Sequence, residues 1–309
     1  MLSIDFLIPC YNGEKWINSC ITSILKNIAT VKDAKFKIIC VDDGSTDNSL
    51  SMLKHLAMKN NIITVVHQEN HGICYTRKVL IDICKADYFM FIDIDDTLCE
   101  NSLAKCLKEN IANYKIITMK CNYKNFNGRK KFNFYNRGIQ TFLPKVSLDA
   151  SKYIRRQRFG YTIWRRFFNT QFVKTSGYEF PIMRAGDCDY SFVFFHLLIA
   201  KTSLNINVNI LNHFFVEVSD SHQIEGERKI TSRYNEIRNF VSLMQKYSTN
   251  ADMKLWYYCL KILVRQYSIH SKDISEQWVL PQKKWIKENT AILNFKKNNP
   301  AYNSTRTVL

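Results

Sequence analysis

The chain has 309 residues, 46% hydrophobic and 13% aromatic, which suffices for one large α/β domain with an appendage or for two ordinary domains and leaves little room for long disorder. Its ten cysteines form no C-x-x-C pair and no cysteine–histidine cluster, which argues against a zinc site and for free thiols in a reducing compartment. The net charge of +17 is uneven: fifteen Lys/Arg face the single acid Asp149 between Lys115 and Lys174, and thirteen face five from Ile230 onward. Such a surface suits phosphates, anionic headgroups or nucleic acid, or is a solvated basic face.

The N-terminus, "MLSIDFLIPCYNG", enters a strand without a basic leader, and no 18 apolar residues run together, so the expected location is cytoplasmic. Over the first hundred residues two periodicities alternate. "SIDFLIP" (3–9), "FKIICV" (36–41), "IITVVH" (62–67) and "YFMFID" (88–93) are β-prone runs. Between them Trp16, Ile17, Cys20, Ile21, Ile24 and Leu25, and then Leu50, Leu53, Leu56 and Ala57, repeat at one-face helical spacing. Strand–helix–strand order at this spacing predicts a parallel sheet with right-handed crossovers and a site at the carboxyl ends of the strands. Those ends carry "PCYNG", "VDDGSTD", "HQENHG" and "DIDD".

Farther along, "NYKNFNGRKKFNFYNRG" alternates aromatic and polar residues with turn signals and predicts hairpins or long loops. The apolar run in "GDCDYSFVFFHLLIA" predicts a buried helix. Beyond about residue 230, "RYNEIRNFVSLMQKY" and "MKLWYYCLKILVRQYSIH" predict amphipathic helices with Lys/Arg on the polar face.

Asp93, Asp95 and Asp96 crowd three carboxylates at the end of an apolar strand, where their mutual repulsion calls for a cation. Mg²⁺ or Mn²⁺ uses one or two carboxylates plus substrate phosphates and would offset it; a solvated turn with Asp96 or Thr97 as helix N-cap is the other reading. Tyr11 suits stacking on a base. A carboxylate at Asp42 or Asp43 suits the imide N–H of a pyrimidine, and Arg77 reads as a free cation suited to a phosphate. Each has a plain structural reading as core packing, helix-entry turn or solvated helix residue.

As a set, in this order and spacing, these residues resemble family 2 glycosyltransferases of the GT-A fold, whose N-terminal half reads P-x-Y-N…DDGS-x-D…N-x-G…AR-N…D-x-DD. The match spans residues 3–103. Thr76 and Lys78 stand where the family often has Ala and Asn, and Lys78 is expected to add charge near the diphosphate. The resemblance implies an α/β fold of GT-A type, a Rossmann-like, mostly parallel sheet flanked by helices with a C-terminal helical appendage. It divides the chain into a GT-A domain at 1–229, with a nucleotide-binding half at 1–110 and an acceptor half at 111–229, and a basic helical region at 230–309.

The activity implied is transfer of a sugar from a nucleoside diphosphate sugar, by family habit a UDP-sugar, to an acceptor hydroxyl with inversion and with Mn²⁺ or Mg²⁺. Pro9, Tyr11, Asn12, Asp42, Asp43, Gly72, Arg77, Asp93 and Asp95 would line the donor. Asp95 and Asp96, with His222 in "VEVSDSHQ", would hold the metal. Asp187 matches the catalytic base of inverting members. Trp164 and Asp189 would face the acceptor, Asp189 compensating for Gly186 where many members have Glu.

The implied partners are the nucleotide-sugar donor and a glycan, lipid-linked or polyanionic acceptor. An anionic membrane at the inner face of the plasma membrane and a homo-oligomer stay open. No nucleic-acid recognition module accompanies the basic stretch. Two readings compete: a degenerate glycosyltransferase-like adaptor for glycan or membrane, favoured by Gly186, and a nucleotidyltransferase, disfavoured by the single glycine in "PCYNGEKW".

Overall fold

A computed structural model describes residues 1–125, 146–147, 162–181, 188–200, 203–215, 227–248, 253–272 and 274–289. The chain divides into two compact units, Met1–Ile224 and Glu225–Leu309.

In the first unit β1 (Leu2–Cys10) is buried from Ile4 onward, which is why its sequence shows no polar alternation. It pairs in parallel with β2 (Ala34–Asp43) on one side and with β4 (Tyr88–Phe91) on the other. β3 (Ile63–Gln68) pairs in parallel outside β2. The crossovers are α1 (Ile17–Ile28), α2 (Ser49–Lys59) and α3 (Ile73–Ile83), and α1 buries Ile17, Cys20, Ile21 and Ile24 on one face. Because β1 lies between β2 and β4, the strand order reverses at β1. A crevice therefore opens outside the carboxyl ends of these strands.

Past β4 the sheet becomes mixed, in the order β4, β8 (Arg166–Asn169), β6 (Ile116–Asn125), β9 (Ser203–Phe215) and β5 (Thr97–Leu98), with β7 (Val146–Ser147) on β9. β8 is antiparallel to both β4 and β6, and β6 is parallel to β9. The start of "NYKNFNGRKKFNFYNRG" is the end of β6; its remainder lies outside the described residues.

Short helices α4 (Ser102–Cys106) and α5 (Thr170–Lys174) precede α6 (Asp189–Ala200). The buried helix expected there is found, with every residue from Ser191 to Leu198 buried. Its Phe192 packs on Phe168 at 5.2 Å and Phe91 at 6.4 Å, which seats the end of β4 on a rigid aromatic layer. Burying each such ring contributes about 1.5–3 kcal/mol.

The second unit consists, in its described part, of α7 (Glu227–Tyr247), α8 (Met253–His270) and α9 (Glu276–Asn289). α8 buries Trp256, Cys259, Leu260, Leu263 and Tyr267 and leaves Lys254, Lys261 and Arg265 exposed, the amphipathic pattern read from the sequence.

Candidate active site

The loops after β1 and β2 are laced together. Asn12, in the left-handed region at φ 48°, accepts from Thr46 N–H at 2.8 Å and Thr46 Oγ1 at 3.2 Å, while its own N–H donates to Ser45 Oγ at 3.0 Å. Gly13 N–H donates to Ser49 Oγ at 2.7 Å, and Asn48 donates twice to Glu14 Oε2. Asn12, expected at the donor, thus spends its side-chain oxygen on the chain itself. Pro9 is buried in β1, and Tyr11, just beyond the end of that strand, is 37% exposed.

The paired acids at the end of β2 differ. Asp43 Oδ1 accepts from Gln68 Nε2 at 2.8 Å and His71 N–H at 2.9 Å, and Oδ2 from Gly72 N–H at 2.9 Å. Asp43, expected at the donor, thus brackets the 69–72 loop that leads into α3. Gly72, at φ 87°, forms the N-terminal cap of that helix. Gly44 is required by the same close approach, since at φ +73° a Cβ would stand 2.7 Å from the Asn70 backbone nitrogen. Asp42 is fully buried. Its Oδ2 meets His67 Nδ1 at 2.8 Å and Ser45 N–H at 3.3 Å, and Oδ1 has no hydrogen-bond partner among the described residues. An orphaned buried acceptor at a strand end is costly unless a ligand donor meets it.

The acidic turn follows β4, with Asp96 N–H donating to Asp93 O at 2.9 Å. Each end is held. Asp93 Oδ1 pairs with Arg77 Nη2 at 3.2 Å. Asp96, completely buried, faces His213 Nδ1 from both oxygens at 3.0 and 3.1 Å and accepts Phe214 N–H at 3.0 Å. Asp96, expected among the metal ligands, is taken up by these internal donors. Asp95, between them, makes no hydrogen bond to another described residue.

Burial, with Asp96 and Asp93 beside it, pushes the Asp95 carboxyl up to about 8. Burial pulls the His213 imidazole down, but Asp96 above all, with Asp95 and Asp93, outweighs it and raises the ring to about 9. The described residues form no group of three His, Cys, Asp or Glu side chains fit to hold a metal. A protein-only cage is thus lacking among them. One unclaimed carboxylate in a turn burdened with negative charge does fit a cation whose other ligands are phosphate oxygens.

Arg77 is not the free cation read from the sequence. It is 4% exposed, with Nη1 2.5 Å from Asp189 Oδ1 and its guanidinium 5.7 Å from the Phe91 ring centroid. Three neighbours thereby fix it, so that it braces Asp93 from behind. Asp189, expected at the acceptor, is spent on Arg77 and on Ile163 N–H at 3.0 Å. Trp164, also expected there, is 4% exposed; its ring stacks on His213 at 4.6 Å and 15° and meets Tyr123 edge-on. Lys78 points away from the acids into an exposed i,i+4 pair with Asp82. Asp187 and His222 lie outside the described residues.

His213 went unread in the sequence. It sits 117 residues from Asp96, in "NINVNILNHFF", and a lone histidine in a strand carries no spacing signal.

Residues 5–177, more than half of the chain, match the family model described as Glycosyl transferase family 2. The glycosyltransferase GlyG of Streptococcus pneumoniae is 32% identical over 148 residues, 47% of this chain and 48% of GlyG. The poly(ribitol-phosphate) beta-glucosyltransferase of Bacillus spizizenii is 32% identical over 130 residues, 41% of this chain and 20% of that protein. The chain thus spans about half or less of these relatives' lengths. S. aureus TarS 1-349 superposes with a TM-score of 0.65 at 17% identity, over 93% of this chain and 78% of that one. Its complex with UDP-GlcNAc gives 0.61 at 17% identity, over 85% and 81%. The α/β architecture with a helical C-terminal part expected from the sequence is the one found. The chain belongs to glycosyl transferase family 2.

Proposed function

We propose that the protein transfers a sugar from a UDP-sugar to a hydroxyl of a cell-envelope glycan or glycoconjugate, with inversion and with a divalent cation, Mn²⁺ or Mg²⁺. The observation that carries this reading is the acidic turn at the end of β4, braced at Asp93 and Asp96, with Asp95 left unclaimed by the described residues. Support comes from the TarS structures with UDP-GlcNAc and UDP, and from relatives named as a poly(ribitol-phosphate) beta-glucosyltransferase and a teichoic acid poly(glycerol phosphate) polymerase.

In this reading residues 1–110 bind the nucleotide and 111–229 the acceptor. Tyr11 stacks on the base, and a carboxylate at the end of β2, Asp42 or Asp43, accepts its imide N–H. Asp93, steadied by Arg77, takes the ribose, and Asp95 is the protein's ligand to the cation. A cation held there would supply positive charge to offset the charge that builds on the diphosphate as its bond to the sugar breaks. Asp187, two positions before the first residue of α6, takes the proton from the acceptor oxygen as it attacks C1 from the face opposite the diphosphate. The basic second unit meets a polyanionic or lipid-linked acceptor, or the anionic surface that carries one.

The test is turnover of a panel of nucleotide sugars with Mn²⁺, read by product chromatography. Release of UDP with transfer or hydrolysis of the sugar is expected. Release of pyrophosphate, or no turnover of any sugar nucleotide, overturns the proposal.

A further inference from the structure

Two holds on the acidic turn converge on one short element. At one end Asp93 is bound by Arg77, Arg77 by Asp189, and Asp189 Oδ2 by the N–H of Ile163. At the other end Asp96 is bound by His213, and the His213 ring lies flat on Trp164. Ile163 and Trp164 are adjacent in a single 3-10 turn, Ile163–Arg165, that is buried throughout. The path therefore closes on itself, and its sides are hydrogen bonds, an ion pair and a ring stack between groups with little room to move. The Tyr123 ring stands edge-on to both His213 at 5.8 Å and Trp164 at 6.3 Å and confines the stack from the side.

The consequence falls on Asp95. Were Asp96 free to turn outward, two adjacent carboxylates would compete for one cation in several geometries. With Asp96 drawn inward by His213 and by Phe214 N–H, one carboxylate is presented. We infer that His213 is a positioning residue for donor binding: it holds Asp96 inside the fold through Nδ1 and, stacked on Trp164, ties that hold to the Arg77–Asp189 hold on Asp93, so that Asp95 alone faces the cation. The inference rests on the reading of this turn as the donor site.

Residues that hold a ligand's neighbours in place change metal affinity by roughly 10–100-fold when removed. His213→Phe keeps a flat ring on Trp164 and gives Asp96 no donor. His213→Asn lacks the ring but places an amide N–H where Nδ1 stood. The readout is calorimetric binding of UDP with and without Mn²⁺, alongside thermal melts without ligand and kcat and KM for the donor.

His213→Phe is expected to weaken Mn²⁺-dependent UDP binding by roughly tenfold or more, with binding of UDP alone little changed and KM for the donor raised more than kcat is lowered. His213→Asn is expected to recover most of that loss. If His213→Phe does not fold, His213→Gln, whose amide reaches one bond farther, is expected to fall between Asn and wild type on one side and complete loss on the other.

A melting temperature lowered in His213→Phe with Mn²⁺-dependent binding unchanged makes the residue structural only and overturns the inference. So does an Asn variant as weak as the Phe variant. Wild-type protein that shows no Mn²⁺-dependent UDP binding overturns the reading of the site, and the inference with it; a wild type that binds while all variants match it overturns the inference alone.

Discussion

Asp95 and Asp187 are both single carboxylates, yet their replacement by Asn is expected to fail in different ways. Asp95 is the acid left without a partner among the described residues, and its carboxyl already sits near 8 because burial and two neighbouring acids oppose its charge. On the proposed reading, Asp95→Asn removes a cation ligand, so Mn²⁺-dependent donor binding and turnover are expected to fall together, and excess Mn²⁺ to restore them in part. Full rescue, or unchanged metal dependence by calorimetry, means the ligands are elsewhere. On the proposed reading, Asp187→Asn removes a general base, which typically contributes 10²–10⁴-fold, a loss of about that size being expected in kcat with UDP affinity retained. A comparable loss of UDP affinity would refute that role. The sequence exposed the acids because three of them at a strand end violate the usual economy of charge. It concealed what each one does, because Arg77 and His213 meet them from 16 and 117 residues away, and such pairings leave no period.

At the level of elements, β1 to β4 were legible because parallel strands buried on both faces read as unbroken apolar runs, and α1 and α2 from their one-face spacing. The second half was less so. β8 and β9 join the sheet through antiparallel and parallel pairings that no local pattern announces, and β9 carries polar residues in a third of its length or more.

The loop between β2 and α2 gives a prediction of its own. Gly44→Ala forces a left-handed alanine against the Asn70 backbone, so it should destabilise the protein by roughly 1–3 kcal/mol and loosen the 69–72 loop, measured by urea unfolding and by Mn²⁺–UDP affinity. An unchanged midpoint would show that the loop gives way freely.

Helix α6 holds one source of pH dependence. His196 is fully buried, its Nδ1 2.7 Å from Phe192 O and Nε2 3.1 Å from Ser176 Oγ, and burial pulls it down to about 3. The unfolded chain takes up that proton near 6.5 and the folded chain does not, so the unfolded state binds more protons below 6.5. The part of the stability that His196 supplies is therefore held above about 6.5 and lost as pH falls toward 3, with a slope approaching 1.4 kcal/mol per pH unit, while Asp95, raised to about 8, contributes with the opposite sign below 8. His196→Gln, whatever its cost at neutral pH, should show a shallower slope between pH 6.5 and 4 by about one proton in urea titrations. Equal slopes would mean that another group governs the acid limb.

On the scale of the whole molecule the argument is one of charge. No described helix is long and apolar enough to cross a membrane. From Ile230 onward thirteen Lys/Arg nevertheless face five acids, and on α9 the exposed Lys283, Lys284 and Lys287 share one helical face with Leu280, itself 57% exposed. A soluble polyanion would use the lysines but not the leucine; a lipid surface uses both, the ammoniums at the phosphates and the isobutyl group among the first methylenes. Each Lys or Arg close to an anionic leaflet contributes about 1 kcal/mol, within a Debye length that shrinks from roughly 10 Å at 0.1 M salt to 3 Å at 1 M. The full chain should therefore co-sediment with vesicles containing phosphatidylglycerol at low salt and come off as salt rises. The triple variant Lys283→Glu, Lys284→Glu, Lys287→Glu should lose most of that binding, Leu280→Ser a smaller part that salt does not affect. Equal recovery on neutral phosphatidylcholine, or a triple variant that binds as wild type does, would place the charge at the service of the acceptor instead.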